Sequence, residues 1–229
     1  MLKLQVKQAT VDYYGFFAAP AFNLIGEMRE IITGLSKTFA VHKVELGSFR
    51  IEGDASEPST VAWVVRLGRF GIYKFKFDQV QASLSGFTDD DLEGMSSVIE
   101  KGNGWVREAA DDFAFKNHAF VYSSHGSLSH GTSSSFLLSL PRRPTPTFGD
   151  DLGSGIIETW HDPEMDAKVR LTLDHSLLQE PDGLYVSYMV LLERDDINYV
   201  AVAQQSRRLL ESILNGIGLE LEVDYLTEA

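Results

Sequence analysis

The sequence predicts an α+β protein in which antiparallel meander sheets are packed by helices. Three observations carry that expectation. Several short segments alternate apolar and polar residues with the period of a half-buried strand. Other segments repeat apolar residues every three to four positions, as amphipathic helices do. The two kinds of segment also follow one another in the same order twice along the 229 residues.

Residues 2–8 set Leu2, Leu4 and Val6 against Lys3, Gln5 and Lys7, which reads as a strand with one wet face. An aromatic connection, Tyr13, Tyr14, Phe16 and Phe17, leads to Pro20, a residue tolerated at a first helical position. Phe22, Ile25, Met28, Ile32, Leu35 and Phe39 then predict a helix over residues 20–38. From Val44 and Leu46 to Phe49 and Ile51 the apolar parity changes across Gly47 and Ser48, as at a β-bulge. Val61, Trp63, Val65 and Leu67 share one face, and after a turn at residues 68–71 so do Tyr73, Phe75 and Phe77, which predicts a hairpin. Asp78 and Gln79 break the parity again before a strand beginning at Val80. Thr88 followed by three aspartates has the composition of a helix start, with Leu92, Met95 and Ile99 turned inward. Gly102, Asn103 and Gly104 are expected to end that helix before a further helical stretch over residues 105–115.

The second half repeats the order. A strand near residues 118–122 runs into the small-residue segment 123–135, expected to be a loop, and residues 141–155 read as the longest connection. Strands follow at residues 156–160, 167–173 and 184–192. Asp195 or Asp196 is expected to cap a long helix with Ile197, Val200, Leu210 and Leu214 inward. Residues 219–225 alternate as an edge-type strand whose wet face carries Glu220, Glu222 and Asp224, opposite in sign to Lys3 and Lys7. The chain reads as one unit, 1–229, in which the halves 1–116 and 117–229 are either a diverged duplication or a chance recurrence of one arrangement.

Composition bounds the function. With no cysteine, the chain has no disulfide, thiolate nucleophile or iron–sulfur ligand. Its net charge of −13 opposes attraction to phosphate backbones and anionic lipid, so neither nucleic acid nor membrane is expected as a partner. The acidity is uneven: 12 basic and 16 acidic residues precede residue 116, and 8 and 17 follow. The first residues do not form a signal peptide and no apolar run is long enough to span a bilayer, so a cytoplasmic location is expected.

Four residues stand out as ligand or partner contacts. His125 and His130 lie in the small-residue segment shortly after His118, where they could meet a metal with Asp174 and His175 or Asp162 and His161, although their spacing matches no zinc signature. Arg142 and Arg143, bracketed by prolines, form a basic cluster in the acidic half and suit a carboxylate or phosphate. No serine lies in a nucleophile elbow, and no glycine run follows a strand and opens a helix. Paired aspartates at 89–91, 150–151 and 195–196 are explained by helix starts and a loop. No catalytic residue, metal or cofactor is therefore assigned. The expected function is a non-enzymatic cytoplasmic binding or assembly module that self-associates or docks a protein. The alternative is a small-molecule-binding or metal-assisted hydrolytic enzyme using His125 and His130.

Overall fold

A computed structural model describes residues 1–24, 26–54, 57–86, 88–110, 113–140, 155–179 and 182–223. Its strands are β1 (Leu2–Phe17), β2 (Phe49–Glu52), β3 (Ala62–Arg66), β4 (Ile72–Lys76), β5 (Gln79–Ser85), β6 (Phe115–Leu128), β7 (Ile156–Asp162), β8 (Ala167–His175), β9 (Gly183–Leu192) and β10 (Leu219–Val223). Its α-helices are α1 (Met28–Thr38), α2 (Asp89–Ala109), α3 (Ser133–Ser139) and α4 (Tyr199–Gly216). The fold is α+β, with strands joined in the order β2-β3-β4-β5-β1-β6-β9-β8-β7 and β10 beside β1. The hairpins β2/β3, β3/β4, β4/β5 and β7/β8 are antiparallel, whereas β10 lies parallel to β1.

The chain divides into two compact units. Unit 1 comprises residues 1–10, 121–190 and 205–229, and unit 2 comprises residues 11–120 and 191–204.

In unit 1 the chain ends pair. Leu2 to Val6 align with Leu219 to Val223, which places Lys3 beside Glu222 in an ion pair of 2.9 Å. Both partners are near half exposed and screened by solvent, so the pair adds little to stability. The strand is held instead by the complete burial of Leu4 and Leu219.

In unit 2 the inward face of the β2 to β5 meander presents Trp63, Val65, Tyr73, Phe75, Val80 and Leu84, all buried. The helices α1 and α2 pack against β3, β4 and β5. Edge-to-face contacts join Phe75 to Trp105 at 5.6 Å and Phe17 to Phe113 at 4.7 Å, the geometry aromatic quadrupoles favour. Thr88 caps α2 with a reciprocal bond to Asp91, as its sequence predicts.

Several expectations change. The aromatic connection is strand: the buried set of β1 switches from Leu4 and Val6 to Ala9 across the exposed Lys7 and Gln8, and Val11, Tyr13 and Phe17 continue it while Asp12, Tyr14 and Phe16 take the other face. The helix expected over 20–38 starts at Met28, after a single 3₁₀ turn at Phe22–Leu24. A 3₁₀ turn at Leu46–Ser48 replaces the expected bulge. Residues 123–128, expected as loop, extend β6, and Ser133–Ser139 form α3 under a Thr132 cap. Asn198, not an aspartate, caps α4 by accepting the Ala201 N–H at 3.0 Å. Asp150, Asp151, Asp224 and most of the 141–155 connection lie outside the described residues.

Candidate functional site

The glycines flanking Asn103 do not stop α2, which runs unbroken to Ala109. Asn103 sits on the buried stripe of that helix with Leu92, Met95, Ile99 and Val106, at a position where the periodicity calls for an apolar side chain. Its amide is accommodated by three phenols. Nδ2 donates to the Tyr13 hydroxyl at 2.7 Å and to the Tyr199 hydroxyl at 2.9 Å, while the Tyr73 hydroxyl donates to Oδ1 at 3.1 Å. Gly102 makes room for this group, since a Cβ there would lie inside van der Waals contact with the Tyr73 ring.

The network continues through His118. Its Nε2 lies 3.0 Å from the Asp195 carbonyl oxygen, which can only accept, so Nε2 carries the proton. Nδ1 is then the acceptor for the Tyr13 hydroxyl, 2.7 Å away. The assignment agrees with burial, which lowers the His118 pKa and keeps the ring neutral. Burial also raises the pKa of Tyr13, Tyr73 and Tyr199, so the chain stays protonated at neutral pH. Every polar atom of Asn103 is satisfied, an arrangement that gives a rigid wall rather than a reactive one.

At the edge of this wall Arg107 grips Asp195. The guanidinium donates to Oδ1 at 3.0 Å, to Oδ2 at 3.2 Å and to the Asp195 carbonyl at 2.8 Å. Its carbon lies 4.9 Å from the Phe115 ring centroid. Burial alone would lower the Arg107 pKa, but the Asp195 hydrogen bonds and charge outweigh it and raise it. Burial alone would likewise raise the Asp195 pKa, which Arg107 and the Phe115 N–H, 2.6 Å from Oδ1, together lower.

Outside the wall lies a cleft of about 710 Å3, formed within unit 2 by α2 and the start of α4. Its lining comprises Asn103, Gly104, Arg107 and Tyr199, the apolar Ile197 and Val200, and the polar Glu100, Asp196, Asn198 and Gln204. A Cβ added at Gly104 would meet nothing within 4 Å. The glycine leaves open space in that lining. A volume of this size, a mixed lining and neighbouring residues with shifted pKa values are the marks of a small-molecule site.

Neither His125 nor His130, singled out in the sequence, belongs to this site, whereas His118 is part of its wall. His125 lies on β6 in unit 1, stacked on Tyr185 at 4.6 Å, with Nδ1 2.9 Å from Ser176 Oγ. Ser176 Oγ already accepts the N–H groups of Leu178 and Gln179, so its own proton goes to His125. His125 thereby fastens the turn after β8. His130 is exposed in the turn before α3. Among the described residues no three His, Asp or Glu side chains are placed to hold a metal. Ser133 meets His175 Nδ1 at 2.8 Å, but Ser133 is only 1% exposed and no substrate reaches it. Arg142 and Arg143 lie outside the described residues. Among the described residues no helix is long and apolar enough to cross a membrane.

The residues that build the cleft were missed because each has a bland local reading. Tyr13 stands in an aromatic run, His118 starts a strand, and Asp195 resembles a cap. One signal was available: a lone asparagine on the apolar stripe of a helix, held between two glycines.

No family model matches this chain, and no curated protein matches it. Among solved structures, it is similar to a rolling circle replication initiator protein from Geobacillus stearothermophilus. The match covers 94% of this chain and 85% of that one, at 9% identity and a TM-score of 0.30. Beside that finding two expectations do not stand: the non-enzymatic assembly module, drawn from the absence of a catalytic constellation, and the exclusion of nucleic acid, drawn from net charge. Neither expectation is kept, nor is the alternative of an enzyme built on His125 and His130. At this TM-score the likeness carries no argument about fold or function.

Proposed function

We propose that unit 2 binds a small polar molecule in the cleft between α2 and the first turn of α4, in a cytoplasmic protein. The observation that carries this reading is the fully bonded wall of Asn103, Tyr13, Tyr73, Tyr199 and His118 standing directly behind a cleft of about 710 Å3. A wall whose own hydrogen bonds are complete does not rearrange when a ligand arrives, which limits the ordering cost of binding. Ile197 and Val200 suit an apolar body, and Glu100, Asp196 and Gln204 suit polar groups at its edge.

The test is a thermal-shift series with amino acids, amines, nucleosides and sugars, run on the native chain and on Gly104→Trp. A ligand present at about 100 times its Kd stabilises the fold by about 2.7 kcal/mol. The expected result is a rise in Tm with one ligand class, lost in Gly104→Trp, whose indole enters the open space. No shift with any class, or a shift that Gly104→Trp retains, overturns the reading.

A further inference from the structure

A second surface of unit 2, remote in character from the cleft, points to a different ligand. The meander β2 to β5 continues into the outer part of β1, and α1 and α2 pack on the face that carries Tyr13 and Phe75. The opposite face carries Tyr14 and Phe16. Their rings lie 6.1 Å apart and within 16° of parallel, and Phe16 is 36% exposed. Gln81 on β5 reaches the Tyr14 hydroxyl at 3.4 Å, which fixes β5 and β1 in one row of this face.

The pairing register extends that row. Gln81 stands opposite Lys74, Lys74 opposite Val64 and Val64 opposite Arg50, with Val64 itself buried between the two cations. By strand alternation Arg66 and Lys76 share the face, opposite Ile72 and Ala62. Four cations therefore stand on this face against the carboxylates of Asp12 and Glu52, a positive surplus in a chain of net charge −13. Glu52 binds Lys74 and Arg50, so Arg66 and Lys76 carry the surplus. Strands about 4.8 Å apart put the cations of β3 and β4 roughly 10–15 Å from the ring pair, within reach of flexible side chains.

We propose that this face binds single-stranded nucleic acid, with unpaired bases stacking on Tyr14 and Phe16 and the backbone phosphates lying toward Lys76 and Arg66. Parallel rings beside a positive surface are what unstacked bases require, because every base offers a π face and every linkage a charge. An acidic peptide would meet the cations but would leave the rings without stacking partners. Paired bases cannot lie flat on the rings, so duplexes are disfavoured. The acidity of the rest of the chain keeps the affinity modest and strongly dependent on salt.

Fluorescence anisotropy of labelled single-stranded DNA and RNA, with the matching duplexes, tests the assignment on the full chain. The expected Kd for single strands is about 10–100 µM at low ionic strength, weakening as salt rises. Tyr14→Ser with Phe16→Ser should weaken binding about tenfold or more. Arg66→Gln with Lys76→Gln should weaken it and reduce the salt slope by roughly two phosphate contacts. Phe16 and Arg66 are exposed and Tyr14 and Lys76 half-buried, so a thermal melt of each variant accompanies the binding measurement and only folded variants are compared. Absence of binding, equal or tighter binding of duplexes, or displacement by polyglutamate as effective as by unlabelled oligonucleotide overturns the proposal. So does unchanged binding by folded variants. Because Gly104→Trp leaves this face intact, it should bind single strands normally, so failure of the cleft and failure of the face are separable.

Discussion

Asn103 Nδ2 donates to the hydroxyl of Tyr13 at 2.7 Å, joining the middle of α2 to β1 in the interior of unit 2. The same amide serves Tyr199 and Tyr73, so one side chain satisfies three buried phenols. Asn103→Leu should therefore cost about 3 kcal/mol or more, since it leaves several polar groups without a partner. Equilibrium urea unfolding measures this. A cost under about 1 kcal/mol would mean that the network contributes little.

The two glycines beside Asn103 should respond oppositely to alanine. Gly102→Ala drives a methyl into the Tyr73 ring and should destabilise by about 1–3 kcal/mol, whereas Gly104→Ala meets nothing and should stabilise the helix by up to about 1 kcal/mol. Thermal melts of the pair give the comparison. Equal effects of the two would contradict the placement of Gly104 beside open space.

Asp195 should matter more than its ion pair. Its side chain is 46% exposed and that of Arg107 33%, so a double-mutant cycle should return a coupling of only about 0.5–1 kcal/mol. Asp195→Ala also removes the acceptor of the Phe115 N–H, which should bring its own cost to about 1–3 kcal/mol. Arg107→Met costing more than Asp195→Ala would reverse this order.

Stability should fall on mild acidification. Burial lowers the pKa of His42, His118 and His125 below their ordinary 6.5. The unfolded chain then takes up protons first as pH falls, so these groups cost nothing above about pH 6.5 and progressively destabilise the fold below it. The slope is at most about 1.4 kcal/mol per pH unit for each histidine. His125→Asn should flatten part of it. Urea midpoints unchanged from about pH 7 to pH 5 would contradict the burial of these rings.

Removing the residues after Gly218 should destabilise by about 3 kcal/mol or more, because Leu219 on β10 and Leu4 on the neighbouring β1 are fully buried. Lys3→Gln should leave the melting temperature nearly unchanged, since its pair with Glu222 is near half exposed. Similar melting of the truncated and intact chains would show that β10 contributes little.

Much of the fold is legible along the chain because burial imposes a period. The strands around Trp63, Tyr73 and Phe75, the Thr88 helix start and the Lys3 to Glu222 pairing all follow from alternation, capping and charge. The failures share a cause. Glycine at 102 and 104 signals a helix end locally, yet the Tyr73 ring and the open space of the cleft are tertiary reasons for glycine within a helix. Tyr13, Asn103, His118 and Tyr199 are spread over nearly two hundred positions, and no local pattern records that they meet. His125 was prominent because its neighbours are small, but those same small residues let β6 pack, with Gly126 lying against the Gln5 backbone.

Backbone amide shifts of the isotopically labelled chain, recorded while a stabilising small molecule is titrated, locate the ligand directly. The predicted result is perturbation of Asn103, Gly104, Arg107 and Asn198 to Ala201, with the side-chain amide protons of Asn103 remaining in slow exchange because both are donated to phenols. Shifts concentrated on His125, Ser176 and Tyr185, or a ligand that stabilises the chain without moving the amides of α2, would contradict the assignment of the cleft.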